Sequence, residues 1–281
     1  MITLPAARAA RCAGTTLARL AAAIIASSLA AACTTLPDGS RWGESATLTP
    51  GWQRIKTSAL DAARSPWVWA PLASAAVLQV DSWDEGVSDW AREATPVFGS
   101  EQDAADWSDG LRTAAVVGYA ASVLAMPSGE LDAGWWSAKA QGAAVGVGAF
   151  AATAGVTSGL KALVSRERPN DADDESFPSG HASTAAVFDT LTVRNLAALH
   201  LSPAARTTLE IGAGALTAGT AWARVEAGEH YPSDVLVGVA LGNFMGAFFN
   251  EAFLGLAPGT RVAFTAEPTR GGAVLRWDLR F

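Results

Sequence analysis

Residues 142–169 read GAAVGVGAFAATAGVTSGLKALVSRERP, a run of small and apolar residues that ends in a basic cluster and a proline. It lacks the strict alternation of a half-buried strand, so an α-helix is expected over Gly142–Val164. Lys161 and Arg168 stand seven apart, which on a helix returns to within about 20° of the same face, two turns on. Pro169 then stops the helix. Two cations are thus expected on one side of a helix C-terminus.

Five further apolar runs surround this one: Pro66–Val80, Leu111–Met126, Ala182–Leu199, Leu209–Ala223 and Val235–Ala257. All are rich in Ala, Gly, Leu and Val, and together they predict an all-α bundle of about six core helices. Most are shorter than the ~20 residues that span a bilayer, and Asp189, Arg194 and Glu210 place charge inside them. Two arrangements remain open: buried helices of a compact bundle, or short, tilted membrane helices packed through small residues. Tryptophans stand at the ends of several runs (Trp67, Trp69, Trp83, Trp107, Trp135, Trp136). That placement suits a lipid–water interface and suits inter-helix packing equally well.

The composition narrows the choice of partner. The chain has 281 residues, 50% apolar and 17% charged, with a net charge of −7. It is neither disordered nor a nucleic-acid binder, which would need a basic face. Between Asp81 and Gly110 stand nine acids and only Arg92, which reads as a solvated, partly helical connection. After Arg261 the pattern changes. Arg261–Thr265 and Ala273–Phe281 flank Pro268-Thr269-Arg270-Gly271-Gly272, and Leu275, Trp277 and Leu279 alternate with charged residues, so a β-hairpin is expected.

The N-terminus reads as an address. Arg8, Arg11 and Arg19 precede the uncharged run Leu20–Ala32, which leads to Cys33. Leu29-Ala-Ala-Ala-Cys33 resembles a bacterial lipoprotein signal, with the leucine one place further from the cysteine than is usual. The resemblance implies cleavage before Cys33, lipidation of its thiol, and an extracytoplasmic, membrane-associated protein. The only other cysteine, Cys12, precedes that cut, so no internal disulfide framework is available. The expected organisation is a signal over 1–32, a linker over 33–65, a helical domain over 66–257 and a hairpin over 258–281.

Two more segments carry chemistry. Pro178-Ser179-Gly180-His181 precedes the run from Ala182; a Ser-Gly pair at a helix start offers free N–H groups and a hydroxyl to an anion, with a histidine beside them. In the segment from Arg224 to Asp234, His230 and Asp234 stand four apart. A carboxylate at that spacing is expected to hold one imidazole nitrogen protonated and leave the other free to attack. Arg224 adds a third cation able to grip two oxygens at once.

In order and spacing the three segments read K-x6-R-P, P-S-G-H and R-x5-H-x3-D. This resembles the type 2 phosphatidic acid phosphatase superfamily, which includes lipid phosphatases, bacterial acid phosphatases and vanadium haloperoxidases. The resemblance implies a helical bundle and a phosphatase that works through a phosphohistidine without metal or cofactor. It implies His230 as nucleophile, Asp234 as its orienting acid, and His181 as acid to the leaving alcohol and then base to water. Lys161, Arg168, Ser179, Gly180 and Arg224 would hold the phosphate oxygens. One departure stands out: Ala223 replaces a serine usual before that arginine, which removes a hydroxyl contact worth about 1 kcal/mol. His200 reads as structural. The expected substrate is a phosphorylated membrane lipid, with soluble phosphate esters as the near alternative. Vanadate-dependent halide oxidation or a non-catalytic envelope lipoprotein are the more distant ones. Asp171, Asp173, Asp174 and Glu175 form a loop beside the cations, either simply solvated or a filter that repels polyanions or holds a cationic head group.

Overall fold

The structure, a computed structural model, describes residues 34–256 and the backbone of 261–269 and 272–280. The expected signal and the Cys33 lipidation site lie outside the described residues. The helices are α1 (Trp52–Arg64), α2 (Pro66–Leu78), α3 (Trp83–Ala94), α4 (Glu101–Ala125), α5 (Ala133–Val164), α6 (Gly180–Ala198), α7 (Pro203–Glu226) and α8 (Pro232–Phe249). A π-helical turn, Asn250–Leu254, extends α8. Beyond it, Arg261–Thr269 and Gly272–Arg280 run antiparallel, with Arg261 opposite Arg280. The helical domain is all-α.

Each of the six expected helices is present, and three begin well before their apolar runs. Ser100, Asp132 and Ser202 each accept the backbone N–H three residues on, starting α4, α5 and α7 within polar sequence. Proline at the first turn opens α2, α7 and α8. The stretch read as a linker contains α1 and places Trp42 fully inside the core. Trp42 lies so close to α5 that a Cβ on Gly142 would meet its ring at 2.3 Å. Beneath it the Lys139 ammonium donates to the carbonyls of Val123 (2.6 Å) and Met126 (2.5 Å), answering orphan acceptors at the end of α4. The indoles of Trp42 and Trp135 cover that charge at 5.5 and 5.3 Å.

α6 is the central helix, packed on α4, α5, α7 and most closely on α8. A glycine seam allows that approach. A Cβ on Gly238 would stand 2.6 Å from the Ser179 carbonyl oxygen, and one on Gly242 would stand 2.3 Å from that of Ser183. The seam brings the first turn of α8 against that of α6, so residues 230–234 meet residues 176–181. Two helical segments, Ala133–Val164 and Pro232–Leu254, are long and apolar enough to cross a membrane. Half of the second one's most apolar window is buried, but only 28% of the first one's. Much of α5 therefore turns apolar side chains outward.

Candidate active site

The first motif departs from the helical expectation. α5 ends at Val164, and Ser165 caps it in the left-handed region (φ 48°), its N–H bonding the Lys161 carbonyl at 3.0 Å. Arg168 therefore reaches the site from the loop after the helix, not from the same helical face as Lys161. Backbone bonds from Ser176 N to Arg166 O (2.9 Å) and from Arg168 N to Asp173 O (3.0 Å) fold that loop back on itself. The acidic loop thereby meets the cations: Asp173 accepts from Arg168 Nε at 2.6 Å, and Lys161 donates to the Glu175 carbonyl.

The second motif starts α6. Ser179 is fully buried and its hydroxyl caps the helix by accepting from Ala182 N. Gly180 stands at the first helical position, where backbone N–H groups lack intrahelical partners. The Ser179 amide is used elsewhere, donating to the Asp234 carbonyl at 3.1 Å, a bond that ties the second motif to the third.

His230 is 2% exposed, and its Nδ1 lies 2.6 Å from the Ser176 carbonyl oxygen. A carbonyl can only accept, so Nδ1 carries the proton and Nε2 holds the free lone pair. Burial, then the charges of Arg224, Lys161 and Arg168, hold the pKa of this ring well below the usual 6.5. His181 sits in the same field. Burial and Arg224 push its pKa down to about 4, against an opposing hydrogen bond that the ring donates to Asp109. Its Nε2 lies 2.9 Å from Asp109 Oδ1. The carboxylate accepts the Nε2–H and leaves the lone pair of the neutral ring on Nδ1. Arg224 thus acts on both imidazoles, and it is itself pushed down to about 10 by burial and by Arg168.

Asp234 does not hold His230 directly. Its carboxylate accepts from Ser176 Oγ (2.5 Å), Tyr231 N (2.9 Å) and Arg166 Nη1 (2.7 Å). The physical reason is the capping of α8, which turns the side chain back over its own first turn. Its influence reaches the imidazole through Ser176, whose hydroxyl it binds and whose carbonyl receives Nδ1–H. Arg166 bridges to a second buried carboxylate, Asp84 of α3, at 2.9 Å, and stacks 3.9 Å from the Tyr231 ring centre. Asp84 also accepts Ser233 N (2.8 Å) and Ser233 Oγ (2.5 Å).

Sequence reasoning missed Asp84, Asp109, Arg166 and Ser176. Arg166 lay inside the first motif and was open to notice there. Asp84 and Asp109 lay in the segment read as a solvated connection, which instead straps the motif loops. From α3, Arg92 donates to the Pro169 carbonyl at 2.5 Å. After α3, the amides of Val97 and Phe98 donate to the buried Glu226 at 3.0 and 2.9 Å. His200 is exposed beyond the C-terminus of α6, away from the site.

The family model described as the PAP2 superfamily matches residues 142–255, from within α5 to the end of the π turn, and so contains all three motifs. Among solved structures, the fold is similar to the "first transmembrane PAP2 type phosphatidylglycerolphosphate phosphatase from Bacillus subtilis". The two share 21% identity with a TM-score of 0.50, over 66% of this chain and 92% of that one. No curated protein matches. The resemblance read from the motifs thus falls on the region that builds the site, and the class it defines is a phosphatase, a hydrolase of phosphoric esters.

Proposed function

We propose that the protein hydrolyses phosphomonoesters or diphosphates of membrane lipids through a phosphohistidine. The observation that carries this reading is the neutral His230 ring: its Nδ1–H is spent on the Ser176 carbonyl, and its Nε2 is free within the field of Lys161, Arg168 and Arg224. A phosphate dianion is costly to bring beside apolar helices unless cations and N–H groups replace its water. The three cations and the Gly180 amide supply that replacement.

Nε2 attacks phosphorus as the phosphorus–oxygen bond to the alcohol breaks. The alkoxide takes a proton from Nδ1 of the His181 imidazolium, whose Nε2–H stays on Asp109. His181, now neutral, removes a proton from water. The resulting hydroxide attacks phosphorus, the phosphorus–nitrogen bond breaks, and inorganic phosphate leaves. Asp234 and Arg166 keep the Ser176 carbonyl in register with Nδ1.

A lipid substrate is supported by what flanks the cations. α5, which carries Lys161 in its last turn, turns much of its apolar surface outward, with only 28% of its most apolar window buried. An apolar exterior on the helix that carries a site cation suits an acyl chain more than a sugar. The export signal and Cys33 add the reading of an extracytoplasmic, lipid-anchored protein, with no nucleic-acid partner. Phosphate release from phosphatidate, phosphatidylglycerol phosphate, a polyprenyl diphosphate and an aryl phosphate is the test. His230→Ala is expected to abolish release. His181→Ala is expected nearly to abolish release from the lipid esters; with the aryl phosphate, whose leaving group needs no proton, an acid-labile, base-stable phosphoprotein is expected to accumulate. Full activity in His230→Ala would end the proposal.

A further inference from the structure

Glu229, the residue before His230, has a place in the site that neither the motifs nor the mechanism uses. Its Oε2 lies 2.9 Å from Arg224 Nη2 and also contacts Arg168 Nη1. Both guanidiniums therefore converge on one carboxylate oxygen. An arginine fork offers the same N–H geometry to carboxylate and to phosphate, so this oxygen marks where an oxygen of a bound phosphate would be gripped. The charges of both arginines also bear on the ring of His230, the next residue in the chain.

Glu229 and a phosphate dianion compete for those donors. Two oxyanions held at that separation repel, which favours one occupant at a time. The carboxylate has a way out, since the Glu229 side chain is 24% exposed whereas that of Arg224 is 9%. Its backbone stays fixed while it moves, because Glu229 N donates to the Arg224 carbonyl at 3.1 Å. Arg168 keeps a second carboxylate, Asp173 on Nε, whichever anion holds its other nitrogens.

We propose that Glu229 is a built-in competitor for the phosphate site: its carboxylate occupies the two guanidiniums, yields them to an incoming phosphate, and reclaims them as product leaves. This rests on the phosphatase reading above and adds to it a residue that sets substrate affinity and product inhibition. Neutralising the competitor strengthens phosphate binding. Partly exposed pairs of this kind are worth up to about 1 kcal/mol, so the gain is about fivefold.

The test compares the full chain with Glu229→Gln, measuring inorganic phosphate binding by calorimetry and phosphate inhibition of aryl phosphate hydrolysis. The proposal expects Kd and Ki for phosphate to fall about fivefold in Glu229→Gln, with KM falling alongside. An unchanged or weaker phosphate affinity would overturn it, the latter by showing that Glu229 orients the guanidiniums for substrate. Should Glu229→Gln fail to fold, Glu229→Asp carries the same test. Its shorter reach is expected to release one guanidinium and give a smaller fall in Kd, and no fall would overturn the proposal. The binding arm is independent of turnover. Tighter phosphate binding in Glu229→Gln with no ester hydrolysed by the wild type would keep the competitor and remove the phosphatase.

Discussion

Asp109 Oδ1 lies 2.9 Å from His181 Nε2, a contact made across 72 residues from the middle of α4 to the first turn of α6. It fixes which nitrogen of His181 faces the chemistry, and it opposes the burial and the Arg224 charge that hold the ring neutral. In the proposed mechanism Asp109 acts through His181 and is a positioning residue.

Replacing it therefore moves a pH profile. In the proposed mechanism attack needs neutral His230 and the leaving step needs charged His181, so activity is expected to rise with pH through a His230 pKa held well below 6.5. Protonation of the alcohol needs charged His181, so activity falls with pH through the pKa of that ring, about 4 before a phosphate dianion raises it. The optimum of kcat/KM is expected on the acid side of neutrality. Asp109→Asn removes a group that favours the charged ring. The alkaline limb is expected to shift to lower pH and kcat to fall about 100-fold. A profile that keeps its shape would refute the assignment.

Arg166 compensates two buried carboxylates, Asp84 (1% exposed) and Asp234 (0% exposed). Arg166→Met leaves both without their cation, a change expected to cost about 3 kcal/mol in denaturant unfolding. Arg166→Lys is expected to recover part of the stability and little of kcat, because a single ammonium cannot span both carboxylates. Equal recovery of both would argue that Arg166 does not align the Ser176 carbonyl.

Gly242→Ala tests the seam between α6 and α8. The new methyl would stand 2.3 Å from the Ser183 carbonyl oxygen and 2.7 Å from the Ala186 Cβ, so the helices must separate. The expected loss is about 1–3 kcal/mol of stability, together with activity, since the seam joins the two histidine-bearing turns. Retention of full activity would mean that the two turns are positioned without the seam.

Acid sensitivity has a definite sign. The folded-state pKa of His181 is about 4 and its ordinary value is 6.5, so between those values the unfolded chain binds the proton and the folded chain does not. Stability is thus expected to fall as pH drops from 6.5 toward 4, by up to about 1.4 kcal/mol per pH unit for this ring. His230 acts in the same direction. Urea midpoints at pH 7.5 and 5 should differ less in His181→Gln than in the wild type; equal differences would contradict the shift.

The helices were legible because apolar runs of helical length leave a strong pattern. Their starts were not, because Ser100, Asp132 and Ser202 begin helices in polar sequence that carries no periodicity. α1 and α3 are mostly polar and were read as linker and connection. The residues implied at the site were legible because each motif is local. Its support was not, because Asp84 meets Ser233 across 149 residues, and because the partner of His230 is a backbone carbonyl, which every residue has. The spacing of His230 and Asp234 suggested direct contact, and capping of α8 took precedence.

α5 carries the Lys139 clasp near its start and Lys161 in its last turn. At 1.5 Å per residue its 32 residues stretch about 48 Å. Just before it, Gly129 N is bonded to the Thr34 carbonyl at 2.7 Å, which moors the residue after Cys33 to that far end. A bilayer's oily interior is only about 30 Å deep. If Cys33 bears the acyl tether proposed above, that tether and the Lys161 end of α5 can touch one leaflet together only with α5 reclining along it; standing upright, the helix would hold the two on opposite shores.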